Sequence, residues 1–195
     1  AEKLKAPVLT TFKAKGQISD EHPLAVGVLG KSGTPVSAHY MNTADLLIVL
    51  GASFSQHTGI DNTKPIIQVD NEQMALAKFH AIENPIWGDV GITAKLFTDK
   101  LADYSQSKIA TDQILARKTE WRNKKAEMAK EDKQNGVNSV YVFNELSRLL
   151  PENAIIGLDV GNNTYSFGRY FESKNQGVIL SGYLGSIGFG FPAAM

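Results

Sequence analysis

Glycines gathered behind apolar runs are the residues here with the clearest bearing on chemistry. One stretch, Ile155-Ile156-Gly157-Leu158-Asp159-Val160-Gly161-Asn162-Asn163, reads as a strand entering a Gly-Asn turn. A second, Ser181-Gly182-Tyr183-Leu184-Gly185-Ser186-Ile187-Gly188-Phe189-Gly190-Phe191-Pro192, follows another short apolar run. Glycine lets backbone approach closely, so these turns serve either a ligand or the tight packing of a helix on a sheet. A third stretch, Ala25 to Ser32, fits a relaxed phosphate-loop pattern. That chemistry needs a helix opening at the lysine, and Gly33-Thr34-Pro35 interrupts one starting at Lys31. The better reading is a glycine turn flanked by Gly30 and Gly33, with a helix from Pro35 aiming its N-terminal amides at an anion. Gly51 ends the strongest strand and Asp70 the next. An acid about twenty residues beyond a glycine turn can bond ribose hydroxyls, or it can close a turn or cap a helix. His22, His39, His57 and His80 have no metal-ligand spacing, and no serine stands in a nucleophile elbow, so none is assigned catalysis. Asn162-Asn163-Thr164 is a formal glycosylation sequon that carries no weight without a signal segment.

The elements that must position these turns are short. Apolar runs at Pro7–Thr11, Leu46–Leu50, Ile66–Val69, Ile155–Leu158 and Val178–Leu180 alternate little, as strands buried on both faces do. Helical patterns run from Pro35 to Met41, from Asn71 to Phe79, through Ile92, Leu96, Phe97 and Leu101, and through Val140, Phe143, Leu146 and Leu150 behind Asn138 or Ser139. Tyr165 to Phe171 is a further helix, and Ala1 to Lys5 reads as the interior of one. Strand alternating with helix predicts an α/β doubly wound parallel sheet of Rossmann-like type, followed by part of a second α/β domain. Residues 105–135 carry Lys108, Arg117, Lys118, Arg122, Lys124, Lys125, Lys130 and Lys133 against five acids, with Ile114, Trp121 and Met128 every seven residues. This is a charged helix with a narrow apolar stripe. It is read as a linker packed by that stripe, not as a nucleic-acid or partner helix. The expected division is a first domain at 1–104, the linker at 105–135 and the start of a second domain at 136–195, the chain being a piece of a longer one.

Composition narrows the classes. The 195 residues balance 20 Lys+Arg against 20 Asp+Glu, so there is no electrostatic footprint for nucleic acid or an anionic membrane. With no cysteine, the chain has no disulfide scaffold, zinc-thiolate site, iron–sulfur cluster or thiol nucleophile. Leu46 to Leu50 is far short of the ~20 apolar residues a membrane helix needs. The expectation is a soluble, cytoplasmic protein with no integral membrane segment.

The stretch LSGYLGSIGFGFPAAM resembles the segment opening the diphosphate-binding domain of thiamine-diphosphate-dependent enzymes of the acetolactate synthase and pyruvate oxidase family. LDVGNN resembles that family's diphosphate-proximal turn. LTTFKAKG, GVLGKSG, NTADLLIVLGASF, IIQVDN and WGDV resemble successive landmarks of its central domain, so the resemblance covers nearly the whole chain in order. It implies a fragment of an enzyme that decarboxylates pyruvate or a related small 2-oxo acid and transfers or oxidises the two-carbon unit. Thiamine diphosphate and Mg2+ would be its cofactors, with FAD in the flavin-binding members, and the full protein would be a homodimer or homotetramer.

Carried over position by position, Val160, Gly161, Asn162 and Asn163 match the turn against the diphosphate. Synthases often have Gln-His where Asn162-Asn163 stands. Gly185, Ser186 and Ile187 match the segment that accepts from the aminopyrimidine and wedges the cofactor into its bent form. Thr11, Phe12 and Lys13 match FAD-contacting positions, as do Leu29, Gly30, Lys31, Ser32 and Gly33. Gly51, Ala52, Ser53, Asp70, Asp89 and Val90 complete that set. Ser53 stands where flavin-binding synthases commonly have Arg, and Ser55-Gln56-His57 replaces an acidic-basic run. The resemblance places the catalytic Glu and the metal-binding Gly-Asp-Gly…Asn motif outside these residues, so no catalytic or metal ligand is assigned here. The 195-residue chain alone is expected to turn over no pyruvate. The competing readings are a non-catalytic nucleotide-binding module of sirtuin-like or electron-transfer-flavoprotein-like fold, which would not need residues 155–195, and a ligand-free assembly domain.

Overall fold

A computed structural model describes residues 1–52, 54, 55, 57–101, 111–131, 134 and 136–195. Ser53, Gln56 and residues 102–110, where the linker reading and the domain boundary at 104 begin, lie outside the described residues.

Three small sheets carry the seven described strands, and every pairing is parallel. β1 (Val8–Thr10) pairs with β2 (Ala25–Val28). β3 (Leu47–Leu50) and β5 (Asn84–Trp87) flank β4 (Ile66–Asp70). β6 (Ile155–Leu158) pairs with β7 (Gly177–Leu180). Helices cross between them, confirming the α/β parallel class. α1 (Pro35–Thr43) starts where Thr34 accepts from the Ser37 amide and Pro35 fills the first turn. α2 (Val90–Lys100) is capped by Asp89, which accepts from Ile92 N–H at 2.8 Å. α3 spans Thr111–Ala129. α4 (Ser139–Leu149) is capped by Asn138, α5 runs Asn162–Tyr170, and α6 is a single turn at Gly190–Ala193.

Four expectations change. Residues 71–79 form one 3-10 turn, Gln73–Ala75, instead of an α-helix. The buried Gln68 amide accepts from Ala77 N–H and donates to the Ala75 carbonyl, taking backbone groups that a helix would pair. Ala1–Lys5 is a set of turns, with Lys5 at φ 49°, rather than a helix interior. β2 and β5 are additional strands. β5 holds Pro85 without cost to the ladder because it is an edge strand. Burial on both faces also fails in part: Ile48 and Leu50 on β3 are exposed, and Ile155 on β6 more so.

The charged helix is more than a spacer. Ile114, fully buried, joins Leu24, Val26, Val36 and Tyr40 in one core, while Trp121 stacks on the Tyr170 ring of α5. The solvated face expected of it is broken by Lys118 and Lys125, at 7% and 4% exposure. Lys118 Nζ donates to the carbonyls of Asp20 and His22. Burial and the nearby Arg122 charge push its pKa down. Lys125 and Arg122 converge on Glu172 just past α5. The helix therefore clamps early and late parts of the chain together. Phe12, from the loop after β1, packs into the late core of Leu158, Phe167 and Phe171.

Candidate functional site

The carboxyl ends of the parallel strands present two clusters of backbone donors. The first comprises the turns after β1 and β2 and, on the second sheet, those after β3, β4 and β5. Leu29 continues β2, its amide donating to the Thr10 carbonyl, so Thr11 and Gly30 leave the same sheet edge. Gly30 has φ +92°, and a Cβ there would lie 2.1 Å from the His57 carbonyl oxygen. The turn closes when Gly33 N–H donates to Gly30 C=O at 2.8 Å, and α1 opens at Pro35. Lys31 is therefore not a helix-opening phosphate-loop lysine. Arg169 from α5 donates to the Lys31 and Gly33 carbonyls, securing the turn from behind.

Across the second sheet, Gly51 (φ +60°) donates to Val69 C=O, and a Cβ on it would sit 3.5 Å from Val90 Cγ2. Gly88 donates to Asp70 C=O. Gly51, Asp70, Asp89 and Val90 thus share one edge, with Ala52 next in chain. Both acids have local work: Asp70 Oδ1 accepts from Glu72 N–H at 2.9 Å, and Asp89 caps α2. Two residues grouped with this cluster from sequence lie elsewhere. Phe12 is in the late core, and Lys13 Nζ sits 5.9 Å over the Tyr183 ring. Ser32 is buried, its carbonyl against Gly168.

The second cluster is built on β6, β7 and α5. Gly161, at φ +145°, is the N-cap of α5 and offers no side-chain cap, and no acid stands in the first turn. The N-terminal amides and the positive end of the helix dipole are thereby left to an anion. Gly185 (φ +62°) faces Val160, a Cβ on it lying 4.0 Å from Val160 Cγ1, and Gly188 (φ +93°) has open space around its Cα. Ile187 is 83% exposed. The Val160 turn and the Gly185 turn, far apart in sequence, thus lie side by side.

Asp159 was not assigned a role from sequence. Its Oδ1 accepts from Val160 N–H (2.6 Å) and Gly188 N–H (2.8 Å), and its Oδ2 from Gly190 N–H (3.1 Å). The Val160 and Gly188 amides hold its carboxyl below the usual carboxylate range. Its only sequence signal is an acid at a strand end before a glycine. Arg169 and Thr164, which donates to the Asp159 carbonyl, were also missed.

Among the described residues no group of three or more His, Asp or Glu side chains could hold a metal, and no helix is long and apolar enough to cross a membrane. The histidines share no site. His22 meets Glu2, and His39 and His80 lie edge-on to Tyr40 and Phe54.

Known proteins resemble this chain over its whole length. Residues 1–97 match the family described as thiamine pyrophosphate enzyme, central domain. The chain is 32% identical to a probable acetolactate synthase large subunit of Methanocaldococcus jannaschii, with 100% of the chain aligned to 34% of that protein. It is 31% identical to the acetolactate synthase isozyme 1 large subunit of Escherichia coli, covering 100% of the chain and 35% of the relative. To a putative thiamine pyrophosphate-containing protein, YdaP, of Bacillus subtilis it is 27% identical, covering 100% and 34%. The chain spans about a third of the length of the curated relatives it matches.

Proposed function

We propose, from the premise that this chain belongs to the thiamine-diphosphate-dependent enzymes of the acetolactate synthase and pyruvate oxidase family, that it holds the diphosphate end of the cofactor in an enzyme that decarboxylates pyruvate or a related 2-oxo acid and passes on the two-carbon unit. The observation that carries this is the meeting of an uncapped helix start at Gly161 with the Gly185–Gly188 segment. The residues fit the group. Amides of Gly161 to Asn163 would suit a diphosphate, the Gly185 carbonyl would suit an exocyclic amine, and exposed Ile187 would suit an apolar contact with the cofactor. Bound thiamine diphosphate supplies an electron sink for loss of CO2 from the 2-oxo acid. The chain's own part would be to bind and orient: the α5 N-terminus would offset phosphate charge through its dipole, and the glycine segment would form a wall beside the bound cofactor. Mg2+ would be held by groups outside the described residues.

The first cluster, Thr11, Leu29 to Gly33, Gly51, Ala52, Asp70, Asp89 and Val90, is proposed as the seat of FAD, with Ser53, outside the described residues, grouped with it by sequence alone. Support comes from the glycine turn at Gly30, closed against the His57–Thr58 loop, and from Gly51 and Asp70 ending neighbouring strands of the second sheet. We take residues 1–104 as the central domain, 105–135 as the linker helix and 136–195 as the opening of the diphosphate domain, in a homodimer or homotetramer. The synthase reading is favoured by the two relatives named for that activity.

The test is full-length protein supplied with pyruvate, thiamine diphosphate and Mg2+, assayed with and without FAD. CO2 release with acetolactate as product supports a synthase. Release coupled to electron acceptors only when FAD is present supports an oxidase. No cofactor-dependent CO2 release overturns the reading.

A further inference from the structure

We propose that Asp159 is a positioning residue. Its carboxylate hangs the 185–190 segment on the end of β6 and so sets how tightly a diphosphate cofactor is held. This rests on the cofactor reading above.

Val160–Asn163 is anchored by β6 below and α5 above. The 183–190 segment is framed only at its end, where Gly190 opens α6 against β6: Tyr183, Leu184 and Ile187 are exposed, and Gly185 and Gly188 both take positive φ. Among the described residues, its hydrogen bonds to any part of the chain before Leu180 are the two that end on Asp159. Gly188 N–H reaches Oδ1 across 29 residues, and Gly190 N–H reaches Oδ2 across 31. Oδ1 also takes the Val160 amide, so a single carboxylate joins both cofactor-facing segments.

The fit is close enough to exclude a larger residue. A Cβ on Gly190 would lie 2.7 Å from Asp159 N, and one on Gly157 would lie 2.6 Å from Gly190 C=O. The third link runs the other way, as Thr164 Oγ1 of α5 donates to the Asp159 carbonyl at 2.6 Å. Asp159 therefore couples β6, the start of α5 and the glycine segment. Its charge is already met by three amides, which leaves the α5 N-terminus for the ligand. A binding surface assembled from two chain segments holds its ligand only as well as their relative placement is held.

The test uses the full-length protein with thiamine diphosphate and Mg2+ as probe, comparing wild type, Asp159→Asn and Asp159→Ala. Amide exchange at Gly188 and Gly190 is measured in the cofactor-free protein, with Val28 and Val69 as fold controls, and cofactor affinity is then measured by calorimetry. The expected result for Asp159→Ala is exchange faster by about tenfold or more at Gly188 and Gly190, and affinity weaker by a similar factor, with the control amides unchanged. Asp159→Asn keeps one acceptor oxygen and falls between. If the control amides of Asp159→Ala also lose protection, Asp159→Asn decides on the same two readouts. Unchanged exchange at Gly188 and Gly190, or faster exchange with unchanged affinity, overturns the proposal alone. Wild-type protein that binds no thiamine diphosphate overturns the cofactor reading and this proposal together.

Discussion

Replacing Glu172 by Gln removes the carboxylate on which α3 closes. In the structure Glu172 accepts from Arg122 Nε at 2.9 Å, from Arg122 Nη2 at 2.7 Å and from Lys125 Nζ. Its side chain is 28% exposed, against 39% for Arg122 and 5% for Lys125. Removing one partner of a buried pair costs about 3–5 kcal/mol, because the other charge is left uncompensated, whereas an exposed pair contributes roughly 0–1 kcal/mol. Lys125 is at the buried limit and Arg122 nearer the exposed one, so the expected loss is about 2–3 kcal/mol. In a chain of this size that lowers the melting temperature by about 5–10 °C. Urea unfolding followed by ellipticity reads it directly. Lys130→Ala is the control: it breaks the exposed Lys130–Glu127 pair and should cost less than about 0.5 kcal/mol. The pH dependence has a definite sign. Burial alone would raise the Glu172 carboxyl, but hydrogen bonds from Arg122 and the Lys125 charge outweigh it and hold the pKa below its ordinary value. A depressed folded pKa contributes stability that is present above the unfolded value of about 4.3 and disappears as pH falls through the folded value. The gap between wild type and Glu172→Gln should therefore narrow on acidification below about pH 4.3. A loss under about 1 kcal/mol at neutral pH, or a gap that does not shrink in acid, would refute the clamp.

Two further substitutions probe the frame around the turns. Gly30→Ala places a side chain at φ +92° and 2.1 Å from the His57 carbonyl, so a loss of about 2 kcal/mol or more is expected, and a wild-type melting curve would contradict the packing of the two loops. Phe167→Ala empties a site that is 2% exposed and stacked at 4.7 Å on Phe171; denaturant unfolding should show a loss of about 3–5 kcal/mol.

Much of this architecture was legible in the residues, and what was missed had physical causes. Ile155–Leu158 is legible with its observed bounds because three aliphatic residues and Gly157 stand between turn formers. α1 and α4 were legible through Pro35 and Asn138, residues whose local chemistry marks a helix start. β5 was invisible because Asn84 and Pro85 carry no strand preference and the strand is selected by pairing with β4. β2 hid behind Gly27, where a Cβ would lie 2.8 Å from Thr34 Cγ2 and φ is +88°. The helix expected over 71–79 yielded to Gln68, a side chain outside that window. Lys118 looked like one more surface charge because its partners, the carbonyls of Asp20 and His22, are 98 and 96 residues away. In the site, the glycines announced the two segments, but the tie between them is a long-range contact of Asp159 that spacing does not encode.

The most direct measurement is a hydrogen-exchange footprint of the full-length protein on adding thiamine diphosphate and Mg2+. New protection is expected at Gly161 to Asn163 and at Gly185 to Ile187 together, with no comparable change at Gly30 to Gly33. Protection confined to the Gly30–Gly33 turn, or none in either segment, would contradict the placement of the cofactor on α5 and the glycine segment.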